Sequence, residues 1–382
     1  MGNRRNMKDT RTALTLKNND IRRFASDSAL NFIRVMFENA DGAKEGEDIE
    51  HLHDMRVASR RLRECFQLFG SFYATKKTEK ILARVKKVTR ILGIPREMDV
   101  NVSVLETYKP KRSPVVQTTH EYLLEIFEFE QARYRKKMLK AFDKLDLKLL
   151  ESDLTRFAQT AISRSPNSHL LADARQDLEL EAFLDQTTHV LQEKIAPILA
   201  FGSSPASQIS DDDVLHRLRI NIKKSRYCFE ILNPLHAGRF EKAIELAKQL
   251  QEILGKIHDL AVLTGRLNTH RIHLMEKTRS HLARGCQEIV ADLGKLKQSL
   301  LPQVEPAHKR LVDELGQLLP LESQSAAVDP TEMAMEKSSQ EASKVERRDE
   351  NLRPDRPSDL LSSTQSEDQA TTGPKSGAAR SF

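Results

Sequence analysis

Two eleven-residue segments of the chain carry the same arrangement of cations behind a histidine. Both follow the pattern H-x-x-R-[VI]-x-x-[RK]-[RK]-x-R, the first beginning at His53 and the second at His216. On an α-helix, at about 100° per residue, the histidine and three of the cations in each copy share one face. A row of guanidinium and ammonium groups can donate charge-assisted hydrogen bonds to the oxygens of successive phosphate groups. The repeated pattern therefore predicts an anion-binding surface built from two helices.

The charged positions of the two copies are the candidate binding residues. They are His53, Arg56, Arg60, Arg61 and Arg63 in the first copy, and His216, Arg219, Lys223, Lys224 and Arg226 in the second. Like charges three and four residues apart on a helix repel each other, so two matching rows favour a bound polyanion that offsets the repulsion. The alternative is a solvated basic face, and for the two histidines a packing or capping role is equally open.

The duplication extends beyond the two cationic rows. The first motif is followed by Leu92-Gly93-Ile94-Pro95-Arg96-Glu97, and the second by Leu254-Gly255-Lys256-Ile257-His258-Asp259. Because glycine commonly ends a helix, we predict a helix end at each Leu-Gly pair. We also predict one long helix from about Ile257 to Leu300. The repeated order of elements indicates two helical bundles related by a pseudo-twofold axis, which would bring the two rows to one groove.

Further cations would widen this basic surface. These secondary candidates are Lys86, Lys87, Arg90, Arg96 and Lys248. For each of them taken alone, ordinary exposure to solvent is the simpler interpretation.

The composition and the distribution of charge predict an all-α protein with two tails. Of 382 residues, 39% are hydrophobic and 5% aromatic, with no Trp, and the formal net charge is +6. We predict a flexible basic arm over 1–19, a first helical half over 20–165, a second over 166–320, and a disordered polar, acidic tail over 321–382. The tail has too few apolar residues to form a core.

The lack of long apolar runs and the cysteine content predict a cytoplasmic protein. No apolar run approaches the roughly 20 residues that span a bilayer, and the basic N-terminus lacks the apolar stretch of a secretory signal. The three cysteines, Cys65, Cys228 and Cys286, lack metal-ligand spacing. We therefore expect a cytoplasmic protein with no membrane partner.

Sequence motifs of catalysis are absent. The chain has no Gly-rich phosphate loop, no H-E-x-x-H pair and no G-x-S-x-G elbow. The pairs His53-Asp54 and His258-Asp259 leave a metal-dependent HD-type phosphohydrolase open, but Arg217 stands where the second copy would need a counterpart of Asp54. We predict a binding protein that is not an enzyme and has neither cofactor nor metal.

Together, the two H-x-x-R helices and the two Leu-Gly helix ends resemble the CHAD domain, the conserved histidine α-helical domain, over roughly residues 20–315. The resemblance implies an all-α fold of two four-helix bundles, with a basic central groove that binds inorganic polyphosphate through the ten charged motif positions. Two positions depart from the commoner family pattern. Glu97 stands where Asp is expected, and His258 stands where Arg is more usual.

Polyphosphate agrees with the physical character of the motif helices. It is a linear polyanion without bases, so its binder needs repeated cations on rigid elements and no aromatic platform. A general polyanion-binding or nucleic-acid-binding protein is the alternative, because cationic rows bind any phosphate backbone. The resemblance also implies association with polyphosphate granules and their proteins.

Overall fold

The computed structural model describes residues 18–110, 113–163, 172–201 and 211–318. Within these ranges the chain forms twelve α-helices and no β-strand, which confirms the all-α prediction. The helices of the first half are α1 Asn18–Glu38, α2 Ala40–Glu45, α3 Ile49–Leu68, α4 Thr75–Ile91, α5 Gly93–Thr107, α6 Pro114–Asp143 and α7 Leu147–Ser163. Those of the second half are α8 Ala172–Phe201, α9 Asp212–Leu232, α10 Glu241–Glu276, α11 Ser280–Leu300 and α12 Val304–Leu318.

Each half contributes one four-helix bundle. In the first, α1, α3, α4 and α7 pack together, and Arg22 on α1 donates to the carbonyl of Ala161 on α7 at 3.1 Å. In the second, α8, α9, the first part of α10 and α12 pack together, and the His308 ring on α12 hydrogen-bonds the Ile198 carbonyl on α8 at 2.7 Å. The two predicted bundles are thus present.

The two bundles share a single hydrophobic core. Buried side chains from both halves form one continuous cluster, in which Phe69 and Phe72 of the first half stack on Phe183 of α8 at ring separations of 5.6 and 5.4 Å. A second cluster lies between α5, α6, the later part of α10 and α11, and includes Phe127 and Leu263. Helices from both halves therefore also build a third four-helix group, which the sequence did not predict.

The two Leu-Gly segments differ in structure. In the first half α4 ends at Ile91 and α5 begins at Gly93. In the second half α10 runs without interruption through Gly255 to Glu276, so the predicted helix end at Gly255 is wrong. The reason is the residue two positions later: Pro95 has no N–H to donate along the helix, whereas Ile257 at the equivalent position has one.

The predicted single helix from Ile257 to Leu300 is also wrong. The chain turns after Glu276, where Thr278 has a positive φ of 55°, and α11 starts only at Ser280. Neither glycine nor proline marks this turn, so periodicity alone could not locate it.

Both motif helices begin with an aspartate that caps the helix N-terminus. Asp48 precedes α3 and accepts a hydrogen bond from the Glu50 amide at 2.8 Å. Asp211 precedes α9 and accepts from the Asp213 amide, also at 2.8 Å. An aspartate in this position satisfies a free helix N–H and favours the helix start. The leading histidine of each copy therefore lies the same number of residues after its capping aspartate.

Most of the predicted arm and all of the predicted acidic tail lie outside the described residues. The last two residues of the arm, 18 and 19, belong to α1, and the predicted boundary between the halves at 165 also lies outside the described residues. Among the helices that the structure describes, none combines the length and the apolar character needed to cross a membrane.

Candidate anion-binding site

The two motif helices, α3 and α9, pack directly against each other. Their facing cations form a group of four, which we call the cationic cluster: Arg56 and Arg60 from α3, and Arg219 and Lys223 from α9. Arg60 and Lys223 occupy equivalent positions of the two copies, as do Arg56 and Arg219. The structure therefore brings together four of the ten predicted motif residues across the line between the halves.

Mutual repulsion within the cationic cluster is strong. Burial, together with the three neighbouring guanidinium groups, lowers the pKa of Lys223 to about 6. Burial and the nearby charge of Arg60 lower the pKa of Arg56 to about 10. Burial also lowers the pKa of Arg219, against the opposing effect of Asp259. Cations in partly desolvated surroundings favour losing their protons unless an anion compensates them.

Only two members of the cluster have a protein partner within the described residues. Arg56 donates to the carbonyl of Thr89 on α4 at 2.7 Å, and Arg219 lies 4.0 Å from the Asp259 carboxylate on α10. Arg60 and Lys223 make no hydrogen bond or ion pair to the described part of the chain, and Arg60 Nε is buried without a partner. Half-buried, unpaired cations are costly, so this is a place where a bound anion would stabilise the protein.

Two further motif residues have a structural role between the helices. Glu230 of α9 accepts from Arg61 of α3 at 2.8 Å and from Arg226 of its own helix at 3.1 Å. Both guanidinium groups lie over the ring of Tyr227, with their central carbons 5.6 and 5.3 Å from its centre. Arg61 and Arg226 are therefore held by protein groups, although both were predicted as ligand contacts.

Sequence reasoning did not identify Glu230 and Tyr227. Glu230 follows Arg226 by four residues, a spacing that favours a helical ion pair, and this signal was available. Its contact with Arg61 joins positions that are far apart in the sequence and needed the structure. Tyr227 is buried, with 3% of its surface exposed, and offers no free ring face.

The remaining predicted residues do not belong to the cationic cluster. Arg63 is half-buried, and burial lowers its pKa. Lys224 is exposed. The exposed secondary candidates are Lys86, Lys87 and Arg90 on α4 and Lys248 on α10. Arg96 is engaged at the start of α3, where it lies 3.6 Å from the Glu50 carboxylate.

The leading histidines differ in their surroundings. Burial, followed by the charge of Arg96, lowers the pKa of His53. Nδ1 of His216 lies 3.2 Å from Nδ1 of His258, and the two rings are 4.5 Å apart. Burial and the charge of Arg219 lower the pKa of His258 to about 3, so this ring is neutral near pH 7. One ring nitrogen of the pair donates and the other accepts.

The glycines of the two Leu-Gly segments lie beneath the motif arginines. A Cβ placed on Gly93 would be 3.5 Å from Arg56, and one on Gly255 would be 3.9 Å from Arg219. Each arginine side chain therefore lies against the neighbouring helix at a position that has no side chain. The same arginine–glycine contact thus occurs in both halves, although only the first Leu-Gly segment ends a helix.

One group of potential metal ligands lies beside the first histidine. Ligand atoms of Glu50, His53 and Asp54 lie within 4.8 Å of one another, and no other group of three such residues is found in the described ranges. Glu50 also pairs with Arg96. The second half has Arg217 in place of Asp54, so this arrangement is not part of the repeat.

Comparison with known proteins gives a family and a fold. A family model described as CHAD domain matches residues 28–268. The crystal structure of the CHAD domain from the plant Ricinus communis aligns with a TM-score of 0.56 and 19% identity, covering 78% of this chain and 94% of that chain. PptA from Streptomyces chartreusis aligns with a TM-score of 0.44 and 14% identity, covering 77% and 98%. No curated protein matches the chain by sequence.

Proposed function

The chain belongs to the CHAD domain family, and we propose that it binds inorganic polyphosphate at the cationic cluster between α3 and α9. The family is linked to polyphosphate binding. The observation that supports a site at this place is the pair Arg60 and Lys223, two equivalent cations without a protein partner among the described residues. A chain of phosphates lying between the helices would supply the missing negative charge to both.

The chemistry of the cluster favours a linear polyanion without bases. Three of its four cations are guanidinium groups, which can contact two phosphate oxygens at once. The ring of Tyr227, which lies under Arg61 and Arg226, is buried and cannot stack on a base. Single-strand nucleic-acid sites usually combine cations with free aromatic faces. We therefore propose polyphosphate in preference to nucleic acid.

The proposal contains no chemical step. We propose a cytoplasmic binding protein that associates with polyphosphate granules and needs no cofactor. If the Glu50, His53 and Asp54 group held a catalytic metal, the protein would release free phosphate from polyphosphate in the presence of divalent cations. Incubation of the full chain with polyphosphate and Mg²⁺ or Mn²⁺, followed by a phosphate assay, tests this directly.

The decisive experiment is calorimetric titration with long-chain polyphosphate at near-physiological salt. Wild type is compared with Arg60→Ala/Lys223→Ala and with the control Lys76→Ala/Lys80→Ala, which removes the same charge from two exposed positions of α4. Since a hydrogen bond to a charged group contributes about 1.5–3 kcal/mol, the double loss at the cluster should weaken binding by roughly 100-fold or more. The control should bind within about threefold of wild type.

Two further measurements make the outcome interpretable. Arg60 and Lys223 have no protein partner among the described residues, so their removal should leave the thermal midpoint equal to or above that of wild type, which circular dichroism checks. Excess duplex DNA is added as a competitor. Polyphosphate binding that DNA displaces would favour the general polyanion alternative, and undiminished binding by the folded double variant would overturn the proposed site.

A further inference from the structure

Helix α6 carries a second row of cations that the repeated motif does not include. At about 100° per residue, Arg133, Lys137, Lys140 and Lys144, the residue that caps the helix end, fall within roughly 60° of the helix surface, and Lys136 lies beside them. Lys136, Lys140 and Lys144 are exposed, and within the described ranges none of these three forms an ion pair. We call these five residues the α6 row.

The α6 row has no counterpart in the second half. In the order of elements α6 corresponds to α11, whose last two turns carry Lys295 and Lys297. Both of these lysines pair with carboxylates, Lys295 with Asp292 at 3.6 Å and Lys297 with Asp212. The duplicated architecture therefore does not require these charges. Like charges at these spacings destabilise an isolated helix, so the row destabilises α6 in a way that has no equivalent in the second half.

One end of the row adjoins the cationic cluster through α10. Arg266 on α10 bonds Glu97 of α5 at 2.7 Å and lies 3.7 Å from Glu130 of α6. Glu97 is close enough to act on the charge of Arg56, at the edge of the cluster. Burial raises the pKa of Glu130, and the charges of Arg266 and then Arg133 act against that rise.

Arg266 lies beside both acidic side chains of this connection. Glu97 is bonded to Arg266 through two nitrogens, at 2.7 and 3.1 Å. Glu130 lies between Arg266 and the ring of His270, at 3.7 and 3.8 Å. Beyond Arg133 the row continues along α6 for eleven residues, about 16 Å at 1.5 Å per residue. The row therefore starts three residues after Glu130, which Arg266 connects to Glu97 beside the cluster, and it continues from there to the end of the helix.

We propose that the α6 row is a second segment of the binding path, engaged only by a polyphosphate long enough to reach it from the cationic cluster. This inference rests on the proposed function of the cluster. A short oligophosphate would occupy the cluster alone. A long chain would bind both segments, and the second contact would be made at high effective concentration because the first holds the chain in place. The protein would then prefer long chains.

The test compares two ligands and three forms of the full-length chain. The ligands are tripolyphosphate and polyphosphate of about 100 units, a length that exceeds the roughly 16 Å of the row. The variants are Lys136→Ala/Lys140→Ala/Lys144→Ala on α6 and the charge-matched control Lys76→Ala/Lys77→Ala/Lys80→Ala on α4. All six lysines are exposed, so both variants should fold.

We expect the α6 variant to lose roughly tenfold in affinity for the long chain, from three exposed contacts, and to bind tripolyphosphate like wild type. The slope of log affinity against log salt for the long chain should also become shallower by about two, as counterion release predicts. The control variant should retain wild-type behaviour with both ligands.

The possible failures are distinguishable. Long-chain affinity of the α6 variant equal to that of the control would overturn this inference and leave the cluster untouched. An equal loss in the control would indicate a general effect of net charge and would also overturn it. If Arg60→Ala/Lys223→Ala binds both ligands like wild type, the proposed site at the cluster fails, and if wild type binds neither ligand, the proposed function fails, whatever the α6 variant does.

Discussion

His258 occupies, next to His216, the position that Arg96 occupies next to His53 in the first half. The two halves thus present different neighbours to equivalent histidines: a permanent cation in the first half, and in the second a ring whose pKa is lowered to about 3 by burial and nearby charges. Because His258 stands where Arg is more usual in the family, a titratable ring replaces a permanent cation beside the leading histidine of the second half only.

The ligand-free protein should lose stability on acidification, and His258 should account for part of the loss. Its pKa is about 3 in the folded chain and about 6.5 in an unfolded chain. Between these values the unfolded state binds more protons, so stability falls as pH decreases from about 7 toward 3. We expect the thermal midpoint of His258→Gln to fall less than that of wild type between pH 7.5 and 5, by roughly 2 °C. Parallel pH profiles would contradict this.

Polyphosphate binding should be accompanied by proton uptake at Lys223. In the free protein this amine faces Arg56 and Arg60 of α3, Arg219 of its own helix and Asp259 of α10, and its pKa is lowered to about 6. A bound polyanion favours the protonated form and raises that pKa. At pH 7.5 we expect uptake of up to about one proton per site, and tighter binding as pH falls toward 6.

The proton uptake can be measured by titration in buffers of different ionisation enthalpy. The observed heat should vary with the buffer for wild type. It should not vary for Lys223→Arg, which keeps a permanent charge and most of the affinity. A buffer dependence that persists in Lys223→Arg would assign the proton to another group, such as His216.

Glu230 should hold the two motif helices together. Glu230→Gln removes the shared partner of Arg61 and Arg226, which are 33% and 13% exposed. Loss of this partly buried partner should lower the free energy of unfolding by roughly 1–3 kcal/mol. The matched control is Glu38→Gln, whose pair with Arg34 is 56–60% exposed and should contribute less than about 0.5 kcal/mol. Chemical denaturation that gives equal losses would show that Glu230 has no such role.

Two glycines in long helices should respond oppositely to alanine. A Cβ on Gly285 of α11 would lie 2.0 Å from the Thr119 hydroxyl and 2.9 Å from the Val115 carbonyl of α6. Gly285→Ala should therefore destabilise the protein by about 1–3 kcal/mol, because the helices must move apart. Gly265 on α10 has nothing within 4 Å of its Cβ position, and Gly265→Ala should stabilise by up to about 1 kcal/mol. Equal effects in denaturation experiments would contradict this close helix contact.

The helical periodicity and the repeated motif were sufficient to predict the all-α fold and the two motif helices with their cationic rows, because these are local properties of the chain. What depended on long-range contacts was missed. The sharing of Glu230 by Arg61 and Arg226 joins residues from different halves. Gly255 predicts a helix end when it is considered alone, whereas α10 continues because Ile257, unlike Pro95, has an N–H to donate along the helix. The ligand roles of the ten motif residues stay predictions.

The third helix group, in which α5 and α6 of one half pack against α10 and α11 of the other, makes each half depend on the other for burial. A single repeat unit would leave the apolar faces of those helices uncovered. One repeat unit alone would therefore need a second copy to cover them. Because both copies are in one chain, this burial is intramolecular and does not depend on protein concentration.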